Sequence, residues 1–172
     1  MAKVVLLRGV NVGGHRTLRP SELAKELGEY EVVNIGAAGT FVVRKPVSDA
    51  QLRQAFLARL RFECQIIICD DKPFIQLAAS DYFAGEPSGR TYVPFVTVLS
   101  EPARLSLSLP LHLPGDTEWY VKLIACNDRF ICGIYRRHLK TIRYLGEVDR
   151  LAGMPATTRN WNTITSVVKY LA

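Results

Sequence analysis

The sequence predicts an α+β protein made of two ferredoxin-like halves, each with an antiparallel sheet. Three observations carry this expectation. From Val4 to Cys69, β-rich runs and amphipathic stretches follow the order strand, helix, strand, strand, helix, strand, the split βαβ arrangement. After Thr91 a related succession of strand, helix, hairpin and helix returns. Between them, Asp81 to Arg90 holds Gly85, Pro87, Ser88 and Gly89, the composition of a loop. The expected division is therefore residues 1–80, ending in a connecting helix, a linker over 81–90, and residues 91–172, closed by the C-terminal helix.

Each element follows from its local pattern. Val4 to Leu7 is an unbroken apolar run with two β-branched residues, which fits a strand buried on both faces. The glycines Gly9, Gly13 and Gly14 follow, with Arg8, Asn11, His15 and Arg16 around them. Pro20, Leu23, Leu27 and Tyr30 recur at helical steps, with Glu22 in the first turn and Gly28 as the stop. Glu31 to Ile35 and Thr40 to Arg44 flank Gly-Ala-Ala-Gly and read as a hairpin. Ser48 and Gln51 have capping-box spacing ahead of the stripe Leu52, Ala55, Phe56, Leu60. Cys64 to Cys69 is a second buried strand, and Asp71 to Ser80, with Phe74, Leu77 and Ala78 on one face, is a helix.

In the second half, Thr91 to Leu99 is a strand, Glu101 to Leu107 a short helix, and the stretch Leu109 to Gly115, with Pro110 and Pro114, an irregular loop. Glu118 to Cys126 and Arg129 to Arg136 flank Asn127-Asp128, a two-residue hairpin turn. Trp161, Ile164, Thr165, Val168 and Leu171 mark the last helix, with Asn160 at its cap.

At 172 residues with 48% hydrophobic and 22% charged content, the composition is globular rather than disordered. No run reaches membrane-spanning length and no cleavable leader is evident, so a cytoplasmic protein without a membrane partner is expected. Cys64, Cys69, Cys126 and Cys132 have no C-x-x-C spacing and sit in apolar runs, as reduced core thiols do. The net charge is +6. Its basic residues gather at Arg8, His15, Arg16 and Arg19 and again at Arg136, Arg137, His138, Lys140 and Arg143, which suits phosphate-bearing partners, nucleic acid among them, and equally a solvated face.

The first loop reads either as a tight strand-to-helix turn or as an anion cradle of backbone N–H groups. It lacks the Lys-Ser/Thr of a phosphate loop and the G-x-G-x-x-G spacing of dinucleotide folds. The base-stacking aromatic pair of RNA-recognition modules is missing as well, the third strand having only Phe41. Arg159, Asn160, Trp161 and Asn162 form the densest cluster of recognition groups. Its structural alternative has Asn160 as a cap, Trp161 as a core anchor and Arg159 paired with an acid. The candidate ligand-binding set is Arg8, Asn11, Gly13, Gly14, His15, Arg159, Asn160, Trp161 and Asn162, meeting in a cleft between the halves. No catalytic motif, metal-ligand spacing or cofactor signature is found. The leading reading is a binder of a small anionic ligand or of a nucleic-acid backbone. An enzyme acting on a phosphorylated or carboxylated substrate and a non-catalytic protein-interaction domain are the alternatives.

With Leu6 to Gly14 (LLRGVNVGG) and Thr157 to Thr163 (TTRNWNT) both in view, the chain resembles domain of unknown function family 1697. That resemblance implies a pair of ferredoxin-like halves and brings no activity with it. The family hairpin reads Q-S-G-N where this chain has Ala37, Ala38, Gly39 and Thr40, so a polar site using that hairpin would be reduced here.

Overall fold

The computed structural model describes residues 1–11, 14, 17–104 and 106–172 of the chain. These form two compact units, Met1–Ala79 with Asn162–Ala172, and Ser80–Trp161. The first contains β1 (Lys3–Leu7), α1 (Pro20–Glu26), a 3-10 turn (Gly28–Tyr30), β2 (Val32–Ile35), β3 (Thr40–Val43), α2 (Asp49–Arg59), β4 (Ile66–Asp70) and α3 (Asp71–Ala78). The four strands make one antiparallel sheet in the order β2-β3-β1-β4.

Strand alternation explains the core. Val5 and Leu7 of β1, Phe41 and Val43 of β3, and Ile66 and Ile68 of β4 share one cluster with Leu23, Leu27, Leu52 and Phe56 from the helical segments. Phe41 and Phe56 meet edge to face at 5.3 Å. On the other face Val4, Leu6, Val42 and Ile67 are buried too, so β1 is covered on both sides, as its unbroken apolar run requires. The Ser48 hydroxyl caps α2, accepting from Gln51 N at 3.2 Å.

The second unit contains β5 (Tyr92–Leu99), β6 (Leu111–Pro114), β7 (Trp119–Asn127), β8 (Phe130–Arg136), α4 (Thr141–Ala152) and β9 (Ala156–Asn160), in an antiparallel sheet ordered β6-β7-β8-β5-β9. Helix α5 (Trp161–Leu171) follows directly. The core of the second unit joins Phe95, Leu99, Val121, Leu123 and Ile131 from the sheet to Val148 and Ala152 of α4.

Several local expectations change. The described residues between Glu101 and Pro110 form no helix, and within the expected loop Leu109 to Gly115 the residues Leu111–Pro114 form strand β6. Prolines are tolerated there because β6 lies at the sheet edge, where a missing N–H costs no ladder bond. The hairpin turn falls one residue later, on Asp128 and Arg129, with Asp128 at φ 50. Residues 81–90, expected as a linker, group with the second unit: Glu86 pairs with Lys122 at 2.6 Å, and Phe83 packs on Trp161 at 4.9 Å. Residues 162–172, expected to close the second half, group with the first unit, where Arg44 Nε donates to Tyr170 O at 3.2 Å.

All four cysteines are free thiols, Cys69 and Cys132 buried and Cys64 and Cys126 half-buried. Burial pushes the Cys132 thiol up to about 12, and raises Cys126 as well. Because the thiolate is the reactive form, Cys132 has about a thousandfold less of it near neutral pH than an ordinary cysteine. A thiol reagent under native conditions is expected to label Cys64 well before Cys132, as read by peptide mass mapping over time. Equal rates at the two positions would contradict the packing.

Candidate functional site

Arg8 and Asn11 tie the described part of the first loop to neighbouring segments. After β1, the backbone N–H of Arg8 donates to Gln65 O at 3.0 Å, and its guanidinium Nη1 to Gln65 Oε1 at 3.0 Å. Asn11 takes a positive φ of 56, a conformation that asparagine tolerates better than most residues. Its Nδ2 donates to Ala37 O at 2.9 Å, while its Oδ1 accepts from Leu18 N at 2.7 Å. Both ends of the amide are therefore used to clip the loop to the β2–β3 hairpin and to the approach to α1. Since the hairpin partner is a carbonyl of the main chain, the alanines at 37 and 38 leave this bond intact. Gly14 is exposed with φ 75. Gly13 and His15 lie outside the described residues.

Beside this clip is an open hollow of about 600 Å³. Asn11, Thr17, Arg19, Glu22, Arg59 and Arg61 contribute polar groups to its wall, and Phe62, packed against the core, contributes an apolar surface. The three guanidiniums differ in what they already hold. Arg59 donates to Glu26 O, Ala55 O and Glu29 Oε1 at 3.1, 3.0 and 2.8 Å, so it is a structural tie between α2 and the end of α1. Arg19 makes one contact, to Glu22 Oε1 at 3.3 Å, between well-exposed partners, and such pairs contribute about 0–1 kcal/mol. Arg61 is exposed, and no hydrogen bond or ion pair with another described residue engages its side chain. With Glu22 and Glu26 also on the wall, the lining holds three cations against two carboxylates.

Arg8 lines a different hollow, of about 530 Å³, with Gly9, Glu63, Cys64 and Gln65. The two arms of the first loop expected to act together, Arg8 and Asn11, thus face separate spaces within the first unit.

The Arg159 to Asn162 cluster divides between structural duties. On β9 Arg159 is 7% exposed, and its guanidinium donates to Thr157 Oγ1 at 2.6 Å and to Thr158 O at 3.0 Å. Next to it the hydroxyls of Thr158 and Thr97 share a hydrogen bond at 2.7 Å across the β5–β9 pair. Trp161 is half-buried edge-on against Phe83, and Asn160 and Asn162 are exposed. Arg8, Asn11 and Asn162 belong to the first unit, and Arg159, Asn160 and Trp161 to the second.

Arg61 was legible in the sequence only as the end of a helix. The signal that distinguishes it is positional: it follows the last turn of α2, where Arg59 already donates to the helix carbonyl Ala55 O. Among the described residues no three His, Cys, Asp or Glu side chains gather as a metal-binding set, and no helix is long and apolar enough to cross a membrane.

Among solved structures the chain is similar to the conserved bacterial protein SP0830 from Streptococcus pneumoniae, at TM-score 0.64 and 16% identity over 99% of this chain and 98% of that one. At that identity the likeness concerns the fold. No curated protein matches the sequence. Residues 1–116 match the family model described as protein of unknown function (DUF1697), and the chain belongs to that family.

Proposed function

We propose that the protein binds a small anionic ligand, a phosphate- or carboxylate-bearing compound, in the hollow between the first loop, α1 and the end of α2. One observation carries this reading: Arg61 stands on the wall of the hollow with its guanidinium unengaged by the described residues, opposite a loop clipped in place by Asn11. A guanidinium offers a planar fork of donors suited to carboxylate and phosphate. Arg19 can turn from its weak contact with Glu22 to assist it. The carboxylates of Glu22 and Glu26 limit how much negative charge the site accepts, which favours a singly or doubly charged ligand over an extended polyanion.

The proposed site does not use Arg159, whose guanidinium is committed to Thr157 and Thr158. We also read both units as variants of the ferredoxin-like plan. The strand orders support it: β2-β3-β1-β4 in the first, and β7-β8-β5-β9 in the second, with β6 added at the edge where a first helix would otherwise intervene.

The test is titration of the protein with inorganic phosphate and pyrophosphate, followed by amide chemical shifts. Binding at millimolar concentration or tighter is expected, with shifts centred on residues 17–19 and 60–62. Arg61→Gln should weaken it by about tenfold, the worth of one charge-assisted hydrogen bond. An affinity unchanged by Arg61→Gln, or no binding at millimolar concentration, would sink the reading.

A further inference from the structure

We infer that the segment from Arg136 to Arg143, at the end of β8 and the start of α4, is a contact surface for an anionic lipid bilayer. It is independent of the hollow proposed above and belongs to the second unit. Four observations converge on it.

The first is charge. Arg136, Arg137, Lys140 and Arg143 fall within eight residues that contain no acid, and the first turn of α4 contains none either. The second is exposed apolar surface. Leu139 is 95% exposed and Ile142 80%, the two most exposed large hydrophobic side chains among the described residues. Single exposed aliphatics are ordinary, but two of them within four residues, in a run of cations, give the segment an apolar as well as a basic character.

The third is rigidity. Beside this segment Tyr120 and Tyr144 are stacked, with centroids 5.5 Å apart and planes 6° from parallel. His138 packs on Tyr120 at 4.7 Å, and Arg136 and Lys140 lie over the same ring at 5.6 and 5.9 Å. Thr141 Oγ1 donates to Arg136 O, and Arg137 Nε to Arg90 O at 2.8 Å. The exposed side chains are thus presented from an ordered base, which lowers the entropy lost on contact.

The fourth selects among anionic partners. Arg143 lies over Tyr144 at 5.9 Å, and Tyr120 is only 4% exposed, so neither ring is offered openly for base stacking, the usual source of single-strand affinity. A nucleic-acid backbone would satisfy the cations and leave Leu139 and Ile142 in water. A second copy of the same segment would oppose like charges. An anionic bilayer accommodates both features, because cations sit at the headgroups while aliphatic side chains enter the acyl boundary. The expectation of no membrane partner rested on span length, and interfacial contact requires no span.

The experiment is co-sedimentation of the full chain with vesicles of phosphatidylcholine alone and with about a third phosphatidylglycerol, a composition that supplies a negative surface potential. Binding to the second and not the first is expected, weakening as salt rises. Changing Arg137, Lys140 and Arg143 together to Gln should weaken it by about a hundredfold, roughly fivefold per cation. Leu139→Ala with Ile142→Ala should weaken it by about tenfold or more, from the lost methylenes. All five side chains are exposed, so a cooperative thermal melt should persist in both variants, and Arg143→Gln alone, which removes neither the Arg137 bond nor the Lys140 contact, should still weaken binding about fivefold. The inference is overturned by absence of binding to the anionic vesicles, or by binding indifferent to the Leu139 and Ile142 changes. It is equally overturned if an oligothymidylate binds more tightly and through the same cations.

Discussion

Gly133→Ala is expected to destabilise the second unit by about 3 kcal/mol, the upper end of the usual cost of overpacking a core. Gly133 lies in the middle of β8, paired with Phe95 on one side and Leu123 on the other. A Cβ built there would stand 2.6 Å from Lys122 O and 2.7 Å from Phe95 Cζ. The first contact is with main chain and cannot be relieved by a rotamer change. The second is with a fully buried ring that also packs on Tyr135 at 5.9 Å, so moving it disturbs the cluster joining the sheet to α4. Denaturant unfolding measures the loss. Adding Phe95→Leu should recover part of the ring clash and none of the carbonyl clash, giving a favourable coupling in the double-mutant cycle. A Gly133→Ala protein within about 0.5 kcal/mol of the parent, the range of an ordinary surface change, would show that the sheet is not packed as described.

Gly133 also shows where sequence reading stops. A glycine inside a β-rich run is visible in the sequence and hints at close backbone approach, but nothing local names Phe95, 38 positions away by residue number, as the ring above it. The first unit was more legible because its signals are local. Pro20, the Ser48 cap with its Leu52, Ala55 and Phe56 stripe, and the β-branched runs each declare their own element. The second unit relies on pairing between distant segments. The Ala156–Asn160 strand is Ala-Thr-Thr-Arg-Asn, with no apolar alternation, and is held by β5. Helix α4 has no side-chain cap hydrogen bond, and its basic start is visible in the sequence only as a charge cluster.

The candidate site was legible to a similar, partial degree. Asn11 is visible in the sequence as a polar residue in a glycine-rich turn, but its amide is used inside the fold, as a clip. Arg159 has the residue type of a recognition group and the burial of a structural one. In both cases the side chain's chemistry could be read from the sequence and its partners could not. Arg61 gained interest for the converse reason, that its neighbours leave it unengaged.

Gly39→Ala is the second change expected to cost about 3 kcal/mol, as backbone strain of about 1 kcal/mol joins a steric term of about 2 kcal/mol. Gly39 is buried at φ 85, and an added Cβ would meet Val10 Cγ2 at 2.8 Å and Leu7 Cβ at 3.0 Å. Its carbonyl also accepts from Leu7 N at 2.8 Å, which fixes the end of β1 against the hairpin. Pushing Val10 aside displaces the residue that precedes Asn11, so the clip and the wall of the hollow should loosen with it. Gly36→Ala separates the two terms, because Gly36 has φ 72 and open space where its Cβ would go. It should cost only about 1 kcal/mol. Hydrogen exchange gives the local readout: protection of the Leu7 and Leu18 amides should fall in Gly39→Ala and persist in Gly36→Ala. If the two variants lose equal stability, the contact with Val10 and Leu7 contributes nothing, and the hairpin glycine serves the turn alone.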